Sequence, residues 1–207
     1  MKIEVARIED THFQLEAVFV LLQDSFSLLE KESGIRFNLL RYSFDDIKER
    51  IEKEKLIVLV AFSEEKLLGT RTLKWDSSRK IAEGMWLAVS PKVQGKGVGS
   101  KLMNFGSNLI KLLGGKYIWE DTAIEAKSSV KMHEKNGYYI IGLVSYTSTD
   151  YYSYVFRKQL TTPSVYSHKF LCHLRFVFSY LLTKSIKNRY GELNTIGQLL
   201  NTIKNNR

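Results

Sequence analysis

The chain has 207 residues and a net charge of +9, with 44% hydrophobic and 26% charged residues. That mixture supports a packed core and excludes a disordered chain. The single cysteine, Cys172, leaves no intramolecular disulfide to form, and neither an apolar leader in "MKIEVARIED" nor a spanning run of about 18 apolar residues occurs, so the expectation is a cytoplasmic protein.

In chain order, "KIEVARI" alternates polar and apolar residues and predicts a first strand. Apolar residues then recur at helical spacing from Phe13 to Leu29. "FDDIKERIEKEK" predicts a second helix, whose acidic first turn suits the positive end of the helix dipole. "KLIVLVAFS" reads as a buried strand, "EEKLLGT" turns into a strand ending near Trp75, and after the turn "DSSRK" comes a fourth strand, "AEGMWLAVS". A helix runs from about Val98 to Leu113 and stops at Gly114 and Gly115. "KYIWEDTA" is a strand, "AKSSVKMHEKNG" a helix ended by Gly137, and "YYIIGLVSYTSTDYYSYVFRKQL" two strands around a polar turn. The order is β-α-α-β-β-β-α-β-α-β-β, ending near Leu160, with no internal repeat.

The stretch that calls for an explanation is "VSPKVQGKGVGSKLM", with glycines at 95, 97 and 99 just where a helix begins. A P-loop, G-x-x-x-x-G-K-[ST], fails because Ser100 stands where its second glycine belongs. A dinucleotide fingerprint, G-x-G-x-x-G, fails at Ser100 counted from Gly95 and at Leu102 counted from Gly97. Gln94-Gly95-Lys96-Gly97-Val98-Gly99 does have the form Q-x-x-G-x-G, follows a strand and opens a helix. Glycines there let backbone N–H groups and the helix dipole approach a bulky anion, and Lys92, Lys96 and Lys101 add positive charge.

On that loop, on the element order over residues 1–160, and on "MHEKNGYYIIG", which looks like the segment often written Y-E-K-x-G-F, the chain resembles the GNAT superfamily of N-acetyltransferases. The resemblance implies an α/β (α+β) fold, with a mixed, mostly antiparallel sheet flanked by helices. It implies a GNAT domain over residues 1–160 and a basic helical extension over 161–207. It also implies acetyl-CoA as cosubstrate, no metal, and direct acetyl transfer to a primary amine through a tetrahedral intermediate. The fourth strand splays from the fifth in this family, which places the pantetheine arm against the backbone of Leu87, Ala88 and Val89 as an added strand would lie; a backbone N–H there would hold the oxyanion. The pyrophosphate falls to Gln94, Gly95, Lys96, Gly97, Val98, Gly99 and Ser100.

The attacking amine must lose its proton and the departing thiolate must gain one. Glu83, six residues before Val89, stands at the spacing of the general-base glutamate of histone-acetylating members; Glu120 and Asp121 are rival bases. The family's usual acid is a tyrosine just before E-K-x-G. This chain has His133 there, as do members resembling phosphinothricin acetyltransferases, and a histidine can donate a proton near neutrality. Tyr138, Tyr139, Tyr151 and Tyr152 are alternative acids. Ala126 replaces a frequent asparagine, which removes a possible cofactor contact and keeps alive a second reading, a catalytically weak CoA-binding or interaction module.

"FSLLEKESGIRFNL" and "YTSTDYYSYV" are expected to wall the acceptor pocket, with Glu30, Glu32, Asp45 and Asp46 as acids able to attract a cation. Beyond Pro163, "HKFLCHLRFVFSYLLTKSIKN" has helical apolar spacing. It is expected to pack on the domain or on a second copy as a homodimer, with peripheral contact to an anionic membrane as the less favoured fate. Residues 161–207 carry a net +6, yet no motif points to nucleic acid.

Overall fold

The computed structural model describes residues 2–146 and 149–161. The extension expected to follow Leu160, with Cys172 and its apolar stripe, lies outside the described residues. Seven strands are described, β1 (Glu4–Arg7), β2 (Ile57–Ser63), β3 (Lys66–Asp76), β4 (Ile81–Val89), β5 (Tyr117–Ala123), β6 (Tyr139–Val144) and β7 (Ser153–Gln159). Four α-helices accompany them, α1 (Leu15–Ser33), α2 (Phe44–Glu54), α3 (Val98–Leu112) and α4 (Lys127–Lys135). The element order is the one read from the sequence, with boundaries moved by a few residues. The strands form one sheet in the order β1-β2-β3-β4-β5-β7-β6. All neighbours run antiparallel except β4 and β5, which are parallel and joined through α3. The insertion of β7 between β5 and β6 is invisible to periodicity, because each strand pattern reports faces and not neighbours.

The sheet is buried on both faces. Along β2, Val58 and Val60 join Val18, Leu22, Leu39 and Ile47 beneath α1 and α2, while Leu59 and Ala61 join Leu102, Met103 and Ile110 beneath α3. This explains why "IVLVAF" is apolar throughout rather than alternating. Ser43 starts α2 with a reciprocal capping box: the Asp46 backbone N–H donates to Ser43 Oγ at 3.2 Å, and the Ser43 N–H donates to Asp46 Oδ2 at 2.8 Å. Asp46 is thereby a cap. Glu30 likewise accepts from the Phe37 N–H at 3.2 Å. Two of the acids considered as cation attractors thus close local turns.

Two irregularities in the middle of the sheet create space for a site. β4 and β5 pair only from Ile81 with Tyr117 to Glu83 with Trp119, and beyond that point they diverge. On its other edge β4 carries a bulge: Thr72 faces Met85 and Thr70 faces Ala88, with Trp86 at φ +51°. A bulky residue in that left-handed region is rare, and a bulge bends the strand that carries it, here just beyond the last β4–β5 pair.

Candidate active site

The cleft between β4 and β5 opens toward the N-terminus of α3. Gly95 (φ +76°) and Gly97 (φ +82°) adopt left-handed dihedrals that an L side chain resists. Gly99 serves a different need: a β-carbon there would lie 2.5 Å from Met132 Sδ, so its lack of a side chain lets α3 approach α4. Ser100 completes that approach by accepting from Asn136 Nδ2 at 3.0 Å. The first helical bond of α3 runs from the Lys101 N–H to the Gly97 carbonyl at 3.1 Å. The N–H groups of the preceding turn, Val98 to Ser100, are left without helical acceptors. Gln94, Gly95, Lys96 and Gly97 are exposed, and Lys92 and Lys101 with them. The residues present therefore fit a large anion at this end of the cleft. Leu87, Ala88 and Val89 lie on the part of β4 that has no β5 partner, and Ser25 Oγ donates to the Val89 carbonyl at 3.0 Å.

The apex of the cleft holds a buried network that periodicity did not reveal. Arg71 on β3 is fully buried, reaches across β4 and pairs with Glu120 on β5. It also donates to the Tyr138 hydroxyl at 2.7 Å and to the Met103 carbonyl at 3.1 Å. His133 is 3% exposed. Its Nδ1 lies 2.7 Å from the Ser129 carbonyl, which can only accept, so Nδ1 carries a proton; Nε2 stands 3.3 Å from Glu120 Oε2. The ring stacks on Phe156 at 4.7 Å and meets Tyr138 edge-on at 5.4 Å. Burial pushes the Glu120 carboxyl up, but the Arg71 guanidinium, then His133 and the Tyr138 hydroxyl, overturn that and hold it at about 2. Glu120 is therefore a fixed anion. Burial, with the Glu120 charge, pushes the Tyr138 hydroxyl far up, so it stays protonated.

The opposite face of the cleft is different. Glu83 is half-buried on β4, and burial raises its carboxyl despite Lys74 and Arg50 nearby; Asp121 and Glu54 push it the same way. Both cations are engaged elsewhere: Lys74 Nζ lies 2.6 Å from Glu54 Oε2 and Arg50 Nε 2.9 Å from Glu54 Oε1. Arg50 also covers the Trp86 ring at 5.1 Å. Asp121 is raised by burial, against hydrogen bonds from Ser153 and Tyr146, the latter at 3.2 Å. The Tyr151 hydroxyl is pushed up to about 12, by burial and then by Asp121, Asp150 and Glu125. Tyr152 packs against the main core, and Tyr139 lies on β6.

A family model described as "Acetyltransferase (GNAT) family" matches residues 15–138, more than half of the chain. The chain belongs to the GNAT acetyltransferase family. Solved structures agree in fold. The PaiA N-acetyltransferase of Thermoplasma acidophilum in complex with coenzyme A is 21% identical, with a TM-score of 0.62 over 77% of this chain and 99% of that one. The spermidine N-acetyltransferase of Vibrio cholerae in complex with CoA and spermine is 16% identical, with a TM-score of 0.60 over 76% and 95%. The Salmonella typhimurium protein yncA with its cofactor acetyl-CoA is 15% identical, with a TM-score of 0.57 over 79% and 96%. No curated protein matches the chain. Among the described residues of this GNAT protein, no group of three or more His, Cys, Asp or Glu could hold a metal ion, and no helix is long and apolar enough to cross a membrane.

Proposed function

We propose that this protein transfers the acetyl group of acetyl-CoA directly to a primary amine inside the β4–β5 cleft. The observation that carries this reading is the continuity of two features. The unpaired edge of β4, Leu87 to Val89, leads through one 3-10 turn, Pro91–Val93, into a glycine loop whose backbone N–H groups open α3. Together they offer a strand-like partner for the pantetheine amides and a helix N-terminus for the pyrophosphate. A β4 N–H facing the thioester carbonyl would stabilise the oxyanion as charge develops.

Glu83 is the base of this reading. Its raised carboxyl and its place at the last paired rung of β4 and β5 suit a group that takes a proton from an incoming ammonium. Asp121 beside it adds a carboxylate to the acceptor side, and the Tyr146 hydroxyl donates to it; that charge favours an amine arriving as a cation. Glu120, the first rival, is tied to Arg71 and cannot serve. His133 is the proposed acid: its Nε2 lies at the apex of the cleft, and at 3.3 Å its bond to Glu120 is long enough to be redirected toward a thiolate. Calorimetric titration with acetyl-CoA, followed by a screen of amine acceptors for CoA release, tests the reading. Absence of acyl-CoA binding at high micromolar concentration would refute it, and binding without transfer to any amine would leave the CoA-binding module instead.

A further inference from the structure

The Arg71–Glu120 pair is an unusual object to find under a sheet. Stability does not explain it, since a buried ion pair rarely outperforms well-packed apolar side chains of similar volume. The Arg71 Nε has no hydrogen-bond partner. Two glycines are committed to making room for it. A β-carbon at Gly106 in the middle of α3 would lie 2.9 Å from Arg71 Nη1, and one at Gly84 on β4 would lie 2.5 Å from Glu120 Cδ. Glycine is unfavourable inside both a helix and a strand.

The location suggests what these concessions serve. Gly84 is the first residue of β4 beyond the last β4–β5 pair, and Glu120 is its counterpart on β5. The carboxylate lies against the bare Gly84 backbone where the next rung of the ladder would be. Arg71 anchors it from β3, on the far side of β4 and inside the bulge. Helix α4 is tied to the same carboxylate through His133, and the start of β6 through the Tyr138 hydroxyl beside it. We propose that the Arg71–Glu120 ion pair, passing over Gly84, is a brace that fixes the divergence of β4 and β5 before acetyl-CoA arrives. Arg71, Gly84 and Glu120 are then positioning residues: they hold the β4 edge unpaired and ready, which lowers the ordering cost of binding. This rests on the cleft being the acyl-CoA site.

The test is a charge-free replacement of both partners, Arg71→Met with Glu120→Leu, which keeps the volume and leaves no lone buried ion. A brace predicts that the double variant keeps its circular dichroism and a cooperative melt. It also predicts an acetyl-CoA Kd at least tenfold weaker by calorimetry, and faster hydrogen exchange confined to residues 84–89 and 120–123, with β2 unchanged. Gly84→Ala, which drives a β-carbon into the carboxylate with both charges intact, should weaken acetyl-CoA to a similar degree, and it serves as the binding variant if the double replacement does not fold. Wild-type affinity in a folded double variant, or in Gly84→Ala, overturns the brace. If the wild type itself binds no acetyl-CoA, the proposed function fails, and the exchange pattern of whichever variant folds still decides: local acceleration supports the brace and an unchanged pattern sinks it.

Discussion

Glu120 and Asp121 are neighbours on one strand with opposite fates. Glu120 turns to the α3–α4 face, where a guanidinium, an imidazole and a phenol surround it and hold it at about 2. Asp121 turns to the α1–α2 face, where hydrogen bonds from Tyr146 and Ser153 leave it raised by burial. Strand alternation alone separates them. One face holds a carboxylate and a phenol, Glu120 and Tyr138, whose protonation does not change near neutrality. The other keeps carboxyls that burial has made readier to accept a proton. A structural face and a chemical face thus meet along a single strand.

The sharpest way to break the contrast is to empty its rigid half. Arg71→Met leaves Glu120 buried without its cation and should cost about 3–5 kcal/mol in urea unfolding. Loss of under about 1 kcal/mol would mean that Glu120 reaches another partner. The pH dependence has a definite sign. The folded carboxyl of Glu120 lies below its ordinary value of 4.5, so its contribution is fully present above that pH and is lost as pH falls toward about 2. Arg71→Met should flatten this acid limb.

The chemical half is broken by Glu83→Gln. Turnover should fall by about 10²–10⁴-fold with acetyl-CoA affinity retained. As the proposed base, Glu83 would have to be ionised, so activity should fall as pH drops through a value above 4.5, and this limb should vanish in the variant. Turnover close to wild type would pass the base role to Asp121. His133→Phe, which keeps an aromatic ring against Phe156, should lower turnover while acetyl-CoA still binds.

A smaller effect belongs to the loop that serves both halves. Gly97→Ala places a side chain at φ +82° and should cost about 1 kcal/mol of stability. It should also weaken acetyl-CoA, because the strained turn aims the α3 N–H groups. Unchanged affinity would detach the glycine loop from the cofactor.

How much of this was legible in the chain differs between the halves. The Q-x-x-G-x-G loop, the strand before it and Glu83 stand in sequence at fixed offsets, and local patterns find such features. The brace is assembled from β3, β4, α3, β5, α4 and the start of β6, and no offset connects Arg71 to Glu120, 49 residues away. Two signals were available: an arginine inside the otherwise buried run "LLGTRTL", and a glycine inside the strand "AEGMW", which marks close approach by another group. Glu120 and Asp121 were indistinguishable as bases because the face each one takes depends on the register of β5 against β4 and β7, which only the folded sheet supplies. His133 was placed by motif, while its burial and its tie to Glu120 came from tertiary packing.

The smallest change tests the chemical face from the stability side. Asp121 is raised in the folded protein, the reverse of Glu120. A group with a raised folded pKa binds its proton more readily folded than unfolded, so stability is lost as pH climbs through its ordinary value of 3.8 and beyond. At neutral pH the ionised Asp121 is therefore a modest liability. Asp121→Asn removes the charge and keeps an oxygen to accept from Tyr146, so it should raise the melting temperature slightly at pH 7 and have no such effect at pH 3. If Asp121 also draws the amine, the same variant should raise KM for a cationic acceptor while leaving KM for acetyl-CoA alone. A gain in stability together with that loss would be the trade expected of a residue kept for substrate rather than for the fold. A lower melting temperature at pH 7 would show instead that Asp121 belongs with Glu120 among the structural charges, and the contrast between the two faces would have to be redrawn one residue further along β5.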